Sequence, residues 1–175
     1  MNKSQTVLFA IGHSTHPISE FIEILGCLEI KRIVDVRTIP KSRHNPQFNR
    51  EELEKSLRSE GIGYLHMPGL GGLRHARKDS SNTAWRNASF RGFADYMQTE
   101  EFGINLEKLI EIAQKETVAI MCAEALPWRC HRSLIGDALL VRGVDVQDIT
   151  SKHSIRSHTL TPWATVEGMK ITYPE

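Results

Sequence analysis

Between Cys122 and Arg132 the chain places two thiols, a carboxylate, an imidazole and two guanidinium groups within eleven positions: Cys122, Glu124, Arg129, Cys130, His131 and Arg132. The residues that follow, Leu134, Ile135, Ala138 and Leu139, fall on one face of a helix. Cys130 therefore stands near a predicted helix N-terminus with basic neighbours. Such surroundings lower a thiol pKa and favour a nucleophilic thiolate. The alternative for Cys130 is a small buried hydrophobe. Cys122 ends an apolar run and reads first as a core residue. Cys122, Cys130 and His131 can also be weighed as metal ligands. Their spacing fits no zinc ribbon or finger, and neighbouring Cys and His rarely reach one ion, so no metal is assigned. A Cys122–Cys130 disulfide is geometrically feasible but disfavoured in a reducing compartment. Glu124 can serve as a general base, or can hold Arg129 or Arg132 in a bidentate pair.

Other candidates come from distant parts of the chain. His13 and Ser14 follow the first apolar run, and His13 is open as an acid/base group or a hydrogen-bonded structural histidine. Asp35 lies in a strand too apolar to hold it unpaired, with Arg37 or a backbone donor as the natural partner. Arg37, Arg43, Arg74 and Arg132 are candidates to bind an anion through guanidinium forks. Gly71 and Gly72 offer a turn that a ligand can approach closely, without a dinucleotide or Walker pattern around it. Trp85, Trp128 and Trp163 can stack on a base but read more simply as core or interface.

The elements that must position these groups alternate. Apolar runs at Thr6–Ile11, Lys31–Arg37, Ile62–Met67, Val118–Met121 and Val144–Ile149 read as strands. Between them lie helical patterns. The first has Thr15 or His16 as N-cap, Pro17 in its first turn, and an apolar face of Ile18, Phe21, Ile22, Leu25 and Leu28, with Cys27 counted as core. The second starts at a capping box of Asn49 and Glu52. Phe90, Phe93, Ala94 and Met97 mark a third helix, and Leu106, Leu109, Ile110 and Ala113 a fourth. Arg74–Asn87 is polar and irregular and is expected to be a mobile lid. The tail from Ser151 has no assigned structure.

These elements predict a single-domain α/β protein over residues 1–175, with a mainly parallel five-stranded sheet and helices on both faces. The expected strand order is 3-2-1-4-5, which brings His13, Asp35 and Cys122 to one sheet edge. No apolar run approaches the length of a membrane span, and Met1–Gln5 opens no secretory leader, so a cytoplasmic location is expected. Three cysteines are too few for a disulfide scaffold. The net charge is only +1, yet residues 31–91 hold thirteen Lys/Arg against six Asp/Glu. That half suits an anionic partner such as a phosphate, a nucleotide or nucleic acid, or is simply a solvated surface.

Gly12-His13-Ser14, Val34-Asp35-Val36-Arg37 with Pro40 and Arg43, Leu70-Gly71-Gly72, and above all Cys122-Ala-Glu124 with Cys130-His131-Arg132 resemble the domain of unknown function 488 family, from about residue 6 to residue 150. The resemblance implies one small α/β domain with one site and supplies no reaction. More distantly, Asp35-Val36-Arg37 is similar to the Asp-x-Arg strand of rhodanese domains. There, and in cysteine phosphatases, a cysteine ending a later strand is the nucleophile. Here the six residues between Cys122 and Arg129, the Pro127-Trp128 pair and Glu124 depart from that pattern. The resulting expectation is an enzyme with an anion (phosphate or nucleotide) site at the carboxyl ends of the strands. Its chemistry is thiol or phosphate-ester chemistry, drawn from Cys122, Glu124, Cys130, His131 and His13. The alternatives are a nucleic-acid-binding or -modifying module and a metal-dependent enzyme. No cofactor is required by the sequence and none is identified.

Overall fold

A computed structural model describes residues 5–175. Its centre is a six-stranded sheet in the order β3-β2-β4-β1-β5-β6. The strands are β1 (Val7–Gly12), β2 (Arg32–Asp35), β3 (Gly63–His66), β4 (Val118–Cys122), β5 (Asp145–Ser151) and β6 (Ser154–Ser157). The first five pair in parallel and β6 runs antiparallel along β5. The order expected from sequence is corrected at one place: β4, not β1, lies beside β2. All five residues of β4 are buried, as a strand covered on both faces requires, and it takes the position between β2 and β1. The expected count of five strands is corrected to six, because the tail supplies β6. The tail also supplies a separate hairpin of β7 (Thr165–Glu167) and β8 (Lys170–Thr172).

Helices α1 (Ile18–Cys27) and α2 (Arg50–Ser59) cover one face, packing Phe21, Leu25, Leu53 and Leu57 against Ile33 and Met121. Helices α3 (Ala88–Tyr96), α4 (Glu100–Lys115) and α5 (Arg132–Val141) cover the other, with Phe93, Leu106, Leu109 and Leu134 against Val34 and Ile120. The chain winds outward from β1 to β3 and then back through β4 to β5. Right-handed crossovers in opposite directions must place their helices on opposite faces. The loops after β1 and β2 thus leave toward one face and the loop after β4 toward the other, which opens a crevice above the end of β4.

Local details differ from the sequence reading. The first helix has Pro17 at its N-cap, one or two residues later than expected, with no side-chain cap. Asn49 is the N-cap of α2, but its side chain accepts from Ser42 N at 2.7 Å, so the capping box does not form. Cys27 is exposed rather than core. No helix among the described residues is long and apolar enough to cross a membrane. Arg74–Asn87 is irregular as expected, but it is anchored. The buried Asp95 carboxylate accepts from Arg77 N, Ser80 Oγ and Asn82 Nδ2 at 2.6–2.8 Å.

The tail is clamped onto α5. Asp137, fully buried, accepts from His158 Nε2, Thr161 N and Tyr173 Oη at 2.8–3.1 Å. His158 Nδ1 lies 3.4 Å from Asp148. Burial alone would lower the His158 pKa, but the two carboxylates outweigh it and raise it to about 9. Because the folded pKa exceeds the unfolded one, this contribution is fully present below about pH 6.5 and is lost as pH rises toward 9. Urea unfolding is expected to lose stability of the order of 2–3 kcal/mol over that window. His158→Gln is expected to flatten the loss, and an equal pH dependence in the variant would disprove the clamp.

Candidate functional site

The carboxyl ends of β1, β2 and β4 meet through the backbone. Cys122 O accepts from His13 N, Ala123 O from Ser14 N, and Met121 O from Val36 N, each at 2.9–3.0 Å. The loop after β4 crosses so close to Gly12 that a Cβ there would lie 1.7 Å from Glu124 O. Only glycine fits beneath that crossing.

Below this rim lies a buried polar network. Asp35 has no exposed surface, and its carboxylate accepts from Arg37 N, Nε and Nη2 and from Tyr64 Oη at 2.6–3.1 Å. Arg37 Nη2 also donates to Phe48 O at 2.8 Å. Burying a carboxylate is tolerable only with such complete pairing. Burial and the hydrogen bond to Asp35 push the Tyr64 phenol well above its usual pKa, so Tyr64 stays a donor. His13 stacks on Phe48 with centroids 4.3 Å apart. Its Nδ1 donates to Ser14 O at 2.8 Å, which leaves Nε2 to accept from Arg37 Nη1 at 3.5 Å. Burial lowers its pKa, in keeping with a neutral ring. These contacts hold the His13 ring in place at the carboxyl end of β1.

Above the network a cleft of about 410 Å³ opens, floored by Cys122, Cys130, His131 and Arg37. The two sulfurs lie in direct contact, and both cysteines are free. Arg132, 1% exposed, donates from Nε to Cys122 Sγ at 2.8 Å and from Nη2 to Glu124 O, and its own amide donates to Cys130 Sγ at 3.4 Å. His131 donates from Nε2 to Val36 O at 3.0 Å, so Nδ1 faces Cys130 Sγ at 3.6 Å. Burial opposes ionisation of Cys130. The Cys122 thiol hydrogen bond, His131 and Arg132 overcome it and hold the Cys130 pKa well below that of a free thiol. Burial and the same hydrogen bond push Cys122 far up. The Arg132 guanidinium donates to Cys122 and also lies against Cys130, so its charge acts on both sulfurs. The α5 amide and His131 bias a negative charge on the pair toward Cys130.

The basic residues expected to hold an anion are largely occupied elsewhere. Arg37 and Arg132 are built into the floor. Arg74 caps Gly71 O and Pro68 O at 3.1 Å and lies 3.6 Å over the Tyr96 ring. Arg43 is exposed and does not line the cleft. Gly72 lines it, but its lack of a side chain makes room for His131, whose ring a Cβ would meet at 2.8 Å. Gly71 makes room for Thr38 in the same way. Ser14 has a left-handed φ of 45° and sits outside the cleft. Glu124 lines the cleft with its side chain exposed, and among the described residues its carboxylate pairs with neither Arg129 nor Arg132, which reaches only its backbone O. The cleft-lining cations without an ion pair among the described residues are instead Lys41 and Arg129. Lys41 reads in sequence only as part of a basic loop. Asn87, Ser89 and Phe90 also line the cleft, and nothing in their spacing signals it. Among the described residues, no group of three or more His, Cys, Asp or Glu is arranged to hold a metal ion. His131 has one nitrogen committed to Val36 O.

Replacing Asp35 with Asn removes the counter-charge of buried Arg37 and is expected to cost about 3–5 kcal/mol in urea unfolding. A loss below about 1 kcal/mol, as for a surface pair, would show that the network does not support the rim.

No curated protein and no solved structure matches the chain. The family model of DUF488, a domain of unknown function, matches residues 17–139, which include β2, β4, both thiols and the start of α5. A match over well over half of the chain makes this protein a member of the DUF488 family.

Proposed function

We propose that the protein is an enzyme that binds an anionic small molecule, of the phosphate or nucleotide class, in the cleft and acts on it through Cys130. The observation that carries this reading is the Cys122–Cys130 pair at the cleft floor, with the buried Arg132, a helix amide and His131 arranged around the two sulfurs, an arrangement that favours a thiolate at Cys130. Burying a charge of this kind costs stability, and groups with perturbed pKa values in clefts cluster at functional sites. Lys41 and Arg129 at the cleft supply the positive field for the substrate.

Of the two chemistries, the geometry favours thiol exchange over phosphate-ester cleavage. A phosphatase-like cradle aims several successive amides at the anion over its cysteine. Here Arg132 N is the amide on Cys130 Sγ, and a second thiol stands directly beside it. That neighbour suits a resolving role. Cys130 thiolate attacks an electrophilic sulfur of the substrate, forming a Cys130–S bond and expelling a thiolate. Cys122 then gives up its proton to the leaving thiolate and attacks Cys130 Sγ. The bound sulfur group departs and a Cys122–Cys130 disulfide remains. Two molecules of a low-molecular-weight thiol reduce that disulfide through a mixed disulfide, leave as their own disulfide, and close the cycle.

Alkylation of native protein by iodoacetamide with peptide mapping tests this. Cys130 is expected to react near neutral pH, with exposed Cys27 as internal comparison, and Cys122→Ala is expected to shift the pH dependence of Cys130 upward. If native protein takes label at Cys27 alone across that range, thiol catalysis is excluded.

A further inference from the structure

A second cleft, of about 340 Å³, lies on the other side of the Pro127–Arg129 turn. Trp128 from that turn, Trp163 from the tail and Trp85 from the anchored irregular segment line it. Trp128 and Trp163 are 54% and 47% exposed. Single exposed apolar side chains are ordinary, but two half-exposed indoles in one concavity are not. The placement of Trp163 is fixed from behind. Trp163 meets Trp85 edge-on with centroids 5.2 Å apart, and Trp85 stacks on Phe90 at 5.1 Å and 20°.

The charges around this cleft select among ligands. Asp148 is paired with His158, which is also held by Asp137. Arg156 also lines the cleft, exposed and without a side-chain hydrogen bond or ion pair among the described residues. Among the described residues that line the cleft, an alkylammonium ion would meet an unpaired guanidinium and no unpaired carboxylate. A flat ring bearing an anion would meet indole faces and that same guanidinium. The two clefts also share a wall. Trp128 and Trp85 face this one, while their partners in sequence and stacking, Arg129 and Phe90, face the thiol cleft.

We propose that the Trp128–Trp163–Arg156 cleft is a subsite for a nucleobase, with the attached phosphate held between Arg156 and Arg129. The proposal deepens the anionic-substrate reading and rests on it only in directing the far end of the ligand toward the thiols. The same base-plus-phosphate chemistry is offered by a free nucleotide and by single-stranded nucleic acid. In a nucleotide the phosphate carries the substrate's reacting end across the shared wall, and in a strand successive nucleotides cross it.

Intrinsic tryptophan fluorescence of the full chain, titrated with the four ribonucleoside monophosphates, with a short single-stranded oligonucleotide and with ribose 5-phosphate, tests the proposal. Saturable quenching is expected with at least one base-bearing ligand and not with ribose 5-phosphate. Tighter binding of the oligonucleotide assigns the subsite to nucleic acid, and equal or tighter binding of a mononucleotide assigns it to a free nucleotide. Trp163→Ala is expected to weaken binding roughly ten-fold, the order of one lost stack, and Trp163→Phe to restore most of it. Arg156→Ala is expected to weaken binding and reduce its salt dependence. Binding in a Cys122→Ala/Cys130→Ala variant is expected to persist, which separates the subsite from the thiol chemistry. No saturable quenching at millimolar ligand, equal binding of ribose 5-phosphate, or preference for tetramethylammonium overturns the proposal.

Discussion

The proposed chemistry depends on how one negative charge is kept inside the protein between two sulfurs. Cys122 and Cys130 come from opposite sides of the loop after β4, and both are buried. An isolated buried thiolate would take up a proton. What prevents this is Arg132, itself buried, which spans the loop to Cys122 Sγ and Glu124 O while its amide opens α5 beneath Cys130. Remove that spanning side chain and the loop loses both its brace and its charge balance. The two sulfurs, the loop and the first turn of α5 therefore form one electrostatic unit.

Around that unit the fold supplies rigidity in layers. Asp35 and Arg37 fix the end of β2. The carbonyl of Val36, between them, then orients the His131 ring toward Cys130. Gly12 lets the loop after β4 lie flat on β1, and Gly72 leaves space for His131. None of these residues needs to touch a ligand for the thiol pair to depend on it. The tail contributes separately, through the Asp137–His158–Asp148 clamp that closes the second cleft from below.

Much of this was legible in the residues. Apolar runs and helical periods located five strands and five helices, because burial on one or two faces leaves a period in the sequence. The pairing of Asp35 followed from its type alone, since a carboxylate in an apolar strand must find a donor. Strand order was less legible. Both β1 and β4 are apolar enough to be central, and which one sits beside β2 is decided by packing between elements far apart in the chain. The tail was opaque for a related reason: β6 is exposed throughout and is held by pairing, so it carries no burial pattern. Guanidinium groups were the hardest to assign. Arg74, Arg132 and Arg43 look alike in sequence, yet one stacks on Tyr96, one is buried on the sulfurs and one is solvated. The Arg side chain is long enough for any of the three, and only tertiary context chooses.

The most direct measurement of the central claim is the ultraviolet absorbance of thiolate followed through a pH titration of the native protein. The account predicts one thiolate per chain already present at neutral pH, abolished by Cys130→Ser. A native protein in which Cys122 and Cys130 both stay protonated to above about pH 8, as unperturbed thiols do, would contradict it.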